Sequence, residues 1–178
     1  MNPPEPTQTP AALDPSQVIL RPLRPGDADW LIAQHGRLYA RDEGFDASFE
    51  QLVADIVAGF LRDHDPARER GWIAEAGGER LGSIFLVRAE TGQPPDTAKL
   101  RLFLLLPQAR GLGLGQRLHD ACLDFARGAG YRRIVLWTHE SHRAATRLYA
   151  RNGWTMTGSR ATRSFGRDVV EQAWFRLL

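Results

Sequence analysis

The sequence predicts a single α/β (α+β) domain, with its elements in the order β, α, α, β, β, β, α, β, α, β, β. Three observations carry that expectation. Residues 98–106 are so continuously apolar that they read as a central strand buried on both faces. This strand runs through Pro107 into a glycine-rich turn, Arg110-Gly-Leu-Gly-Leu-Gly115, that opens an amphipathic helix. Phe49, Leu52, Val53, Ile56, Val57 and Phe60 recur at three and four residues, the period of a helix with one apolar face. At 178 residues the chain is one domain by length, large enough to bury a core without disulfides or metals. It has no internal repeat and no second core.

Residues 1–16 hold Pro3, Pro4, Pro6, Pro10 and Pro15 with few apolar residues, so they are expected to be a disordered leader, with the domain over residues 17–178. The leader lacks the basic start and apolar centre of a secretion signal. Residues 18–24 read as a strand, and Pro25-Gly26-Asp27 announces a helix to about Arg41, with Leu31, His35 and Leu38 on one side. Asp42-Glu43-Gly44-Phe45 then forms an acidic loop. The second helix starts at Asp46 or at the capping box Ser48-x-x-Gln51.

From Gly71 the period changes to two: residues 72–76, a Gly77-Gly78 turn and residues 81–89 read as a hairpin. A proline-containing loop over 91–96 leads to the central strand. The helix after the glycine turn runs to Ala129, with Gly130 as its stop. Residues 133–138 form the next buried strand, residues 141–152 the next helix with Gly153 after it, and residues 154–160 and 169–178 the last strands.

Composition narrows the function classes. The one cysteine, Cys122, falls at helical spacing with Leu118 and Phe125 and so belongs in the core, and nothing points to an oxidising compartment. A formal charge of +2 is too small to imply nucleic-acid binding. No run approaches the roughly 20 apolar residues of a membrane span. A cytoplasmic protein with neither nucleic acid nor membrane as partner is expected. Arg143, Arg147 and Arg151 at i, i+4 spacing form either a phosphate-binding stripe or a solvated helix face.

The glycine turn is an anion-binding device. At a helix start the first backbone N–H groups lack helical partners and the macrodipole places positive charge there, so a phosphate or pyrophosphate is a natural guest. Gly111, Gly113 and Gly115 remove the side chains that would hold it off. A P-loop would need Gly-Lys-Ser/Thr, where this chain has Gly115-Gln116-Arg117. A dinucleotide fold would need GxGxxG with an acid about 20 residues on, where this chain has GxGxG followed by the basic run Tyr131-Arg132-Arg133.

What remains, Arg110-Gly-Leu-Gly-Leu-Gly115-x-x-Leu118, resembles the Q/R-x-x-G-x-G/A signature of the GNAT superfamily of acyl-CoA-dependent N-acyltransferases. A second piece, LWTHESHRAATRLYARNGW from Leu136 to Trp154, resembles the same superfamily's strand, its Asn-x-x-Ala-x-x-Leu-Tyr helix and its Gly-aromatic exit. The resemblance spans about Leu20 to Leu178. Similar runs to His35-Gly-Arg-Leu-Tyr39, Asp65-Pro-Ala-Arg68 and Ser164-Phe-Gly166 occur in GNAT domains found alone or fused behind a MarR-type regulator.

The resemblance implies a mixed, mostly antiparallel sheet flanked by helices on both faces, with acyl-CoA seated between two splayed central strands. It implies that the backbone of Phe103, Leu104 and Leu105 pairs with the pantetheine arm, and that the amides of Gly111, Leu112, Gly113, Leu114, Gly115 and Gln116 hold the pyrophosphate, with Arg110 in the Q/R position. The implied reaction moves an acetyl group from acetyl-CoA, as co-substrate, to a primary amine of a small molecule or protein by direct attack. No metal is implied, and a homodimer is compatible with it. A domain that only senses acyl-CoA is the alternative.

Such a transfer needs a base for the incoming ammonium and an acid for the departing thiolate. Tyr149 matches the motif tyrosine that supplies the acid, though a packing role in Leu148-Tyr149 would also explain it. The family's usual glutamate positions hold Lys99 and Trp137 here, which leaves Glu43 first as base, ahead of Glu140, His35 and Tyr39. Asp42, Glu43 and Asp46 together point to a cationic acceptor. His139-Glu140-Ser141-His142 is not a zincin HExxH site, because position 143 is Arg. His142 stands where the motif has a cofactor-touching Asn, and it retains hydrogen-bonding capacity.

Overall fold

The computed structural model describes residues 13–178. Most of the expected leader, residues 1–12, lies outside the described residues. Of its last four, Leu13 packs against the core and Asp14 accepts from the Ser16 amide, capping a short 3-10 turn over Pro15–Gln17. Arg117 ties this turn down through the carbonyls of Pro15 (2.9 Å) and Val18 (2.8 Å).

The elements are β1 (Ile19–Pro22), α1 (Ala28–Glu43), α2 (Ala47–Asp63), β2 (Arg70–Ala76), β3 (Glu79–Arg88), β4 (Thr97–Leu105), α3 (Leu114–Gly128), β5 (Arg133–His139), α4 (Arg143–Arg151), β6 (Thr155–Ser164) and β7 (Arg167–Leu177). The seven strands form one sheet in the order β1-β2-β3-β4-β5-β7-β6. Every pairing is antiparallel except that of β4 with β5. This is the mixed, mostly antiparallel sheet expected.

Helices cover both faces. On one, Leu114, Leu118 and Cys122 of α3 pack with Ile84, Leu86, Leu100, Ile134 and Leu136 of the sheet. On the other, Leu31 of α1 and Phe49, Val53, Val57 and Phe60 of α2 cover Ile73 and Phe85. Each large apolar side chain so buried contributes about 1.5–3 kcal/mol, so both faces drive folding. The entry to α1 is held by Asp27, which bonds Arg21 and Arg80 at 2.7 Å each. Burial alone would raise its pKa, but those guanidiniums hold the Asp27 carboxyl well below the usual carboxylate range.

Two boundaries differ from expectation. Helix α1 continues through Asp42 and Glu43 to a left-handed Gly44 cap (φ 69°), so the acidic loop is in fact the last helical turn. Strands β6 and β7 are longer than expected and meet at a two-residue turn, Phe165 (φ 53°) and Gly166 (φ 77°), as a type I′ hairpin requires. The hairpin tip docks on the α1–α2 corner: the Phe165 carbonyl accepts from the Asp46 amide (3.1 Å) and Arg167 donates to the Glu43 carbonyl (2.6 Å). Phe165 closes the contact at 5.0 Å from Phe45 and 5.1 Å from Phe49, ring to ring.

Candidate active site

Strands β4 and β5 pair only from Thr97 opposite Arg133 to Leu100 opposite Leu136, and beyond that they part. The divergence coincides with a bulge in β4. Pairing to β3 shifts register between Ser83 and Phe85, Leu102 takes φ 48°, and the Ser83 hydroxyl donates to the Leu102 carbonyl at 2.8 Å. A leucine with positive φ is strained, and such strain persists where the surroundings over-determine it, commonly at sites of function. Residues 101–105 therefore keep β3 on one edge and face an open gap on the other.

The gap is a cleft of about 820 Å³, with β4, β5 and the starts of α3 and α4 on one side and α1 and α2 on the other. At its mouth lies the glycine turn. Gly111 (φ 77°) and Gly113 (φ 74°) both adopt left-handed backbone, and a Cβ on either would meet nothing within 4 Å. Gly115 differs: a Cβ there would come within 3.3 Å of Leu105 and 3.5 Å of Leu148, so it serves close helix–strand packing. Among the described residues, the amides of residues 111 to 116 donate to no acceptor of the protein.

Phe103, Leu104 and Leu105 lie along the open edge of β4, with Leu104 buried under α1 and Phe103 and Leu105 against the α3 side. Leu112 and Leu114 turn their side chains into the core and leave only backbone to the mouth. Arg110 folds across that mouth, donating to the Leu105 carbonyl (3.2 Å) and approaching Asp42 (3.7 Å). The Gln116 side chain has a role that sequence reasoning missed. It exchanges two hydrogen bonds with Asn152, 2.8 and 3.0 Å, and locks the start of α3 to the end of α4.

Of the three acids expected to meet a cationic acceptor, two are committed elsewhere. Asp46 caps α2 through the Ser48 amide (3.0 Å), and Asp42 pairs with Arg41 at 2.6 Å. Glu43 remains in the cleft, 3.5 Å from His142 Nε2, while His142 Nδ1 lies 3.2 Å from the Thr138 hydroxyl. His142 is thus oriented by β5 and α1 together. Burial lowers its pKa to about 4, so its imidazole is neutral at physiological pH.

His139 lies beside it, ring centroids 5.2 Å apart, and is only 1% exposed with both ring nitrogens unpartnered among the described residues. Tyr39 presents its edge to His142 at 5.0 Å. Tyr149 lines the cleft from α4, and its ring sits between Phe103 at 6.5 Å and Trp154 at 5.5 Å. Burial first, and the neighbouring Tyr39 and Cys122 second, push its phenol pKa far up, so it remains a proton donor. His35, in contrast, donates from Nδ1 to the Leu31 carbonyl (2.9 Å) and is buried on α1; Glu140 is exposed.

The open amides, the left-handed glycines and the parted strands fit a long, pyrophosphate-bearing ligand that enters at the turn and reaches Tyr149. Comparison with known proteins agrees. The profile of the acetyltransferase (GNAT) family matches residues 29–154. N-acetyltransferase 8F1 of Rattus norvegicus is 34% identical over 120 residues, 66% of this chain and 52% of that protein. Mycothiol acetyltransferase of Pseudarthrobacter chlorophenolicus is 31% identical over 153 residues, 82% of this chain and 45% of that one. The chain thus spans about half the length of the curated relatives it matches.

Among solved structures, a GCN5-related N-acetyltransferase from Kribbella flavida superposes with a TM-score of 0.72 at 22% identity, covering 93% of this chain and 100% of that one. A spermidine N-acetyltransferase from Vibrio cholerae, in complex with CoA and spermine, does so with a TM-score of 0.68 at 22% identity, covering 91% and 96%. Sheet order, parted central strands, glycine turn and family profile coincide on one stretch of chain, which belongs to the GNAT acetyltransferase family.

Proposed function

We propose that residues 17–178 form an N-acetyltransferase that moves an acetyl group from acetyl-CoA to a primary amine by direct attack. The observation that carries this reading is the row of uncommitted amides at residues 111–116, flanked by glycines whose Cβ positions are open, at the mouth of a cleft that ends at Glu43, His142 and Tyr149. Acetyl-CoA supplies an activated acetyl thioester. The amides at the turn bind its pyrophosphate, aided by the dipole of α3. The open edge of β4 over Phe103 to Leu105 offers backbone donors and acceptors to the pantetheine arm.

In the transfer a nitrogen–carbon bond forms and the carbon–sulfur bond breaks. Glu43, backed by neutral His142, takes the proton that the amine gives up, and the Tyr149 hydroxyl gives a proton to the departing sulfur. His142 serves here by orientation toward Glu43 rather than by the cofactor contact first expected of it. The Thr138 hydroxyl 3.2 Å from Nδ1 and the Glu43 carboxylate 3.5 Å from Nε2 support that assignment.

The test is release of free thiol from acetyl-CoA in the presence of a panel of primary amines, with the N-acetyl product confirmed by mass. Thiol release that needs both substrates is the expected outcome. Saturating acetyl-CoA that raises the melting temperature, with no amine of the panel acetylated, would favour an acyl-CoA sensor instead.

A further inference from the structure

Among the described residues, Arg101 is a half-buried cation of the cleft that has no partner. Arg101 stands on β4 just before the bulge, opposite Phe85 and so on the α1–α2 face of the sheet, and it lines the cleft half-buried. Among the described residues it makes neither a hydrogen bond nor an ion pair. Its neighbour on that face, Lys99, is neutralised by Glu90. Glu90 acts on Arg101 only through space, and burial still lowers the guanidinium's pKa. A cation partly withdrawn from water without a partner costs free energy that a ligand's anion would offset.

Beside it lies apolar surface that is only partly covered, the Trp137 ring meeting His139 at 4.6 Å on one side. Trp137, on β5 where the strands part, is 39% exposed yet lines the cleft. Leu52 and Ile56 face it from α2, half-buried, and none of the three belongs to a core cluster.

Resting on the acetyltransferase reading, we propose that Arg101, Trp137, Leu52 and Ile56 form an acceptor subsite for a free apolar or aromatic amino acid. Its carboxylate meets Arg101, its side chain lies against Trp137, Leu52 and Ile56, and its amine points toward Glu43. The subsite gives a use to the apolar residue that stands at position 137, where the family places a carboxylate.

The test compares L-phenylalanine, L-phenylalaninamide and spermidine as acceptors for the wild-type protein and Arg101→Gln, alongside calorimetric titration of L-phenylalanine into CoA-saturated protein. In the wild type the acid is expected to have a KM at least about tenfold below that of its amide, the scale of a hydrogen bond to a charged group. Arg101→Gln should raise KM for the acid by a similar factor, leave kcat nearly unchanged and leave the amide untouched. Should that variant fold poorly, Trp137→Ala at an exposed position should weaken L-phenylalanine and not glycine.

Equal use of acid and amide, or a variant that weakens every acceptor alike, overturns the proposal. If CoA binds and spermidine is acetylated while L-phenylalanine neither binds nor reacts, only the subsite falls. If CoA itself does not bind, the acetyltransferase reading falls, and the calorimetric titration of L-phenylalanine alone still decides the subsite.

Discussion

In the proposed reaction Tyr149 and Glu43 bracket the reacting end of the cleft, one from α4 and one from the last turn of α1. Tyr149 is 3% exposed and its pKa is raised by burial, so at neutral pH it carries the proton that a departing thiolate needs. Tyr149→Phe removes that proton and almost no volume. Turnover is expected to fall by roughly 10²- to 10⁴-fold with acetyl-CoA affinity nearly unchanged, as for loss of a general acid. Steady-state kinetics and cofactor titration on one preparation check this, and full activity in the variant would leave the hydroxyl without a role in turnover. The tyrosine was legible in the sequence because its helix carries a recognisable pattern. The link from Thr138 through His142 to Glu43 was not, because it joins residues that only the fold brings together.

At the scale of elements, legibility followed the strength of periodic burial. Helix α2 and strand β4 were readable because one packs an apolar stripe on the sheet and the other is covered by helices on both sides. The β6–β7 hairpin was underestimated because β6 is exposed over almost its whole length, so its sequence shows no alternation, and because its turn uses Phe165 where glycine or asparagine would have signalled it. The three alternate glycines read as one device and proved to be two. Gly111 and Gly113 free the amides, while Gly115 lets α3 approach β4 and α4. The bulge at Leu102 left no trace in the residue types, since an apolar side chain in left-handed backbone is a consequence of the tertiary setting. Arg101 was illegible for a related reason: a cation in an apolar strand declares its surroundings only once the register is known.

Among the described residues, burial lowers the pKa of four histidines from an ordinary 6.5, to about 4 at His35, His139 and His142 and downward also at His119. The unfolded chain takes up protons near pH 6.5 while the fold resists until about pH 4. Their contribution to stability is therefore complete above 6.5 and is lost as the pH falls toward 4. His35 alone should withdraw about 2 kcal/mol between pH 7 and pH 5. Asp27, with its pKa lowered, contributes fully above the usual carboxylate range and loses that contribution as the pH falls through that range and below it. Urea unfolding at the two pH values is expected to show at least the loss from His35, and a flat profile would mean these rings are solvated. The central claim is that acyl-CoA lies between β4 and β5 with its pyrophosphate on the glycine turn. Hydrogen–deuterium exchange with and without saturating CoA tests it most directly. Slower exchange at residues 111–116 and along residues 101–105, with β6 unchanged, is the expected result; unchanged exchange at the glycine turn under saturating CoA would contradict the account.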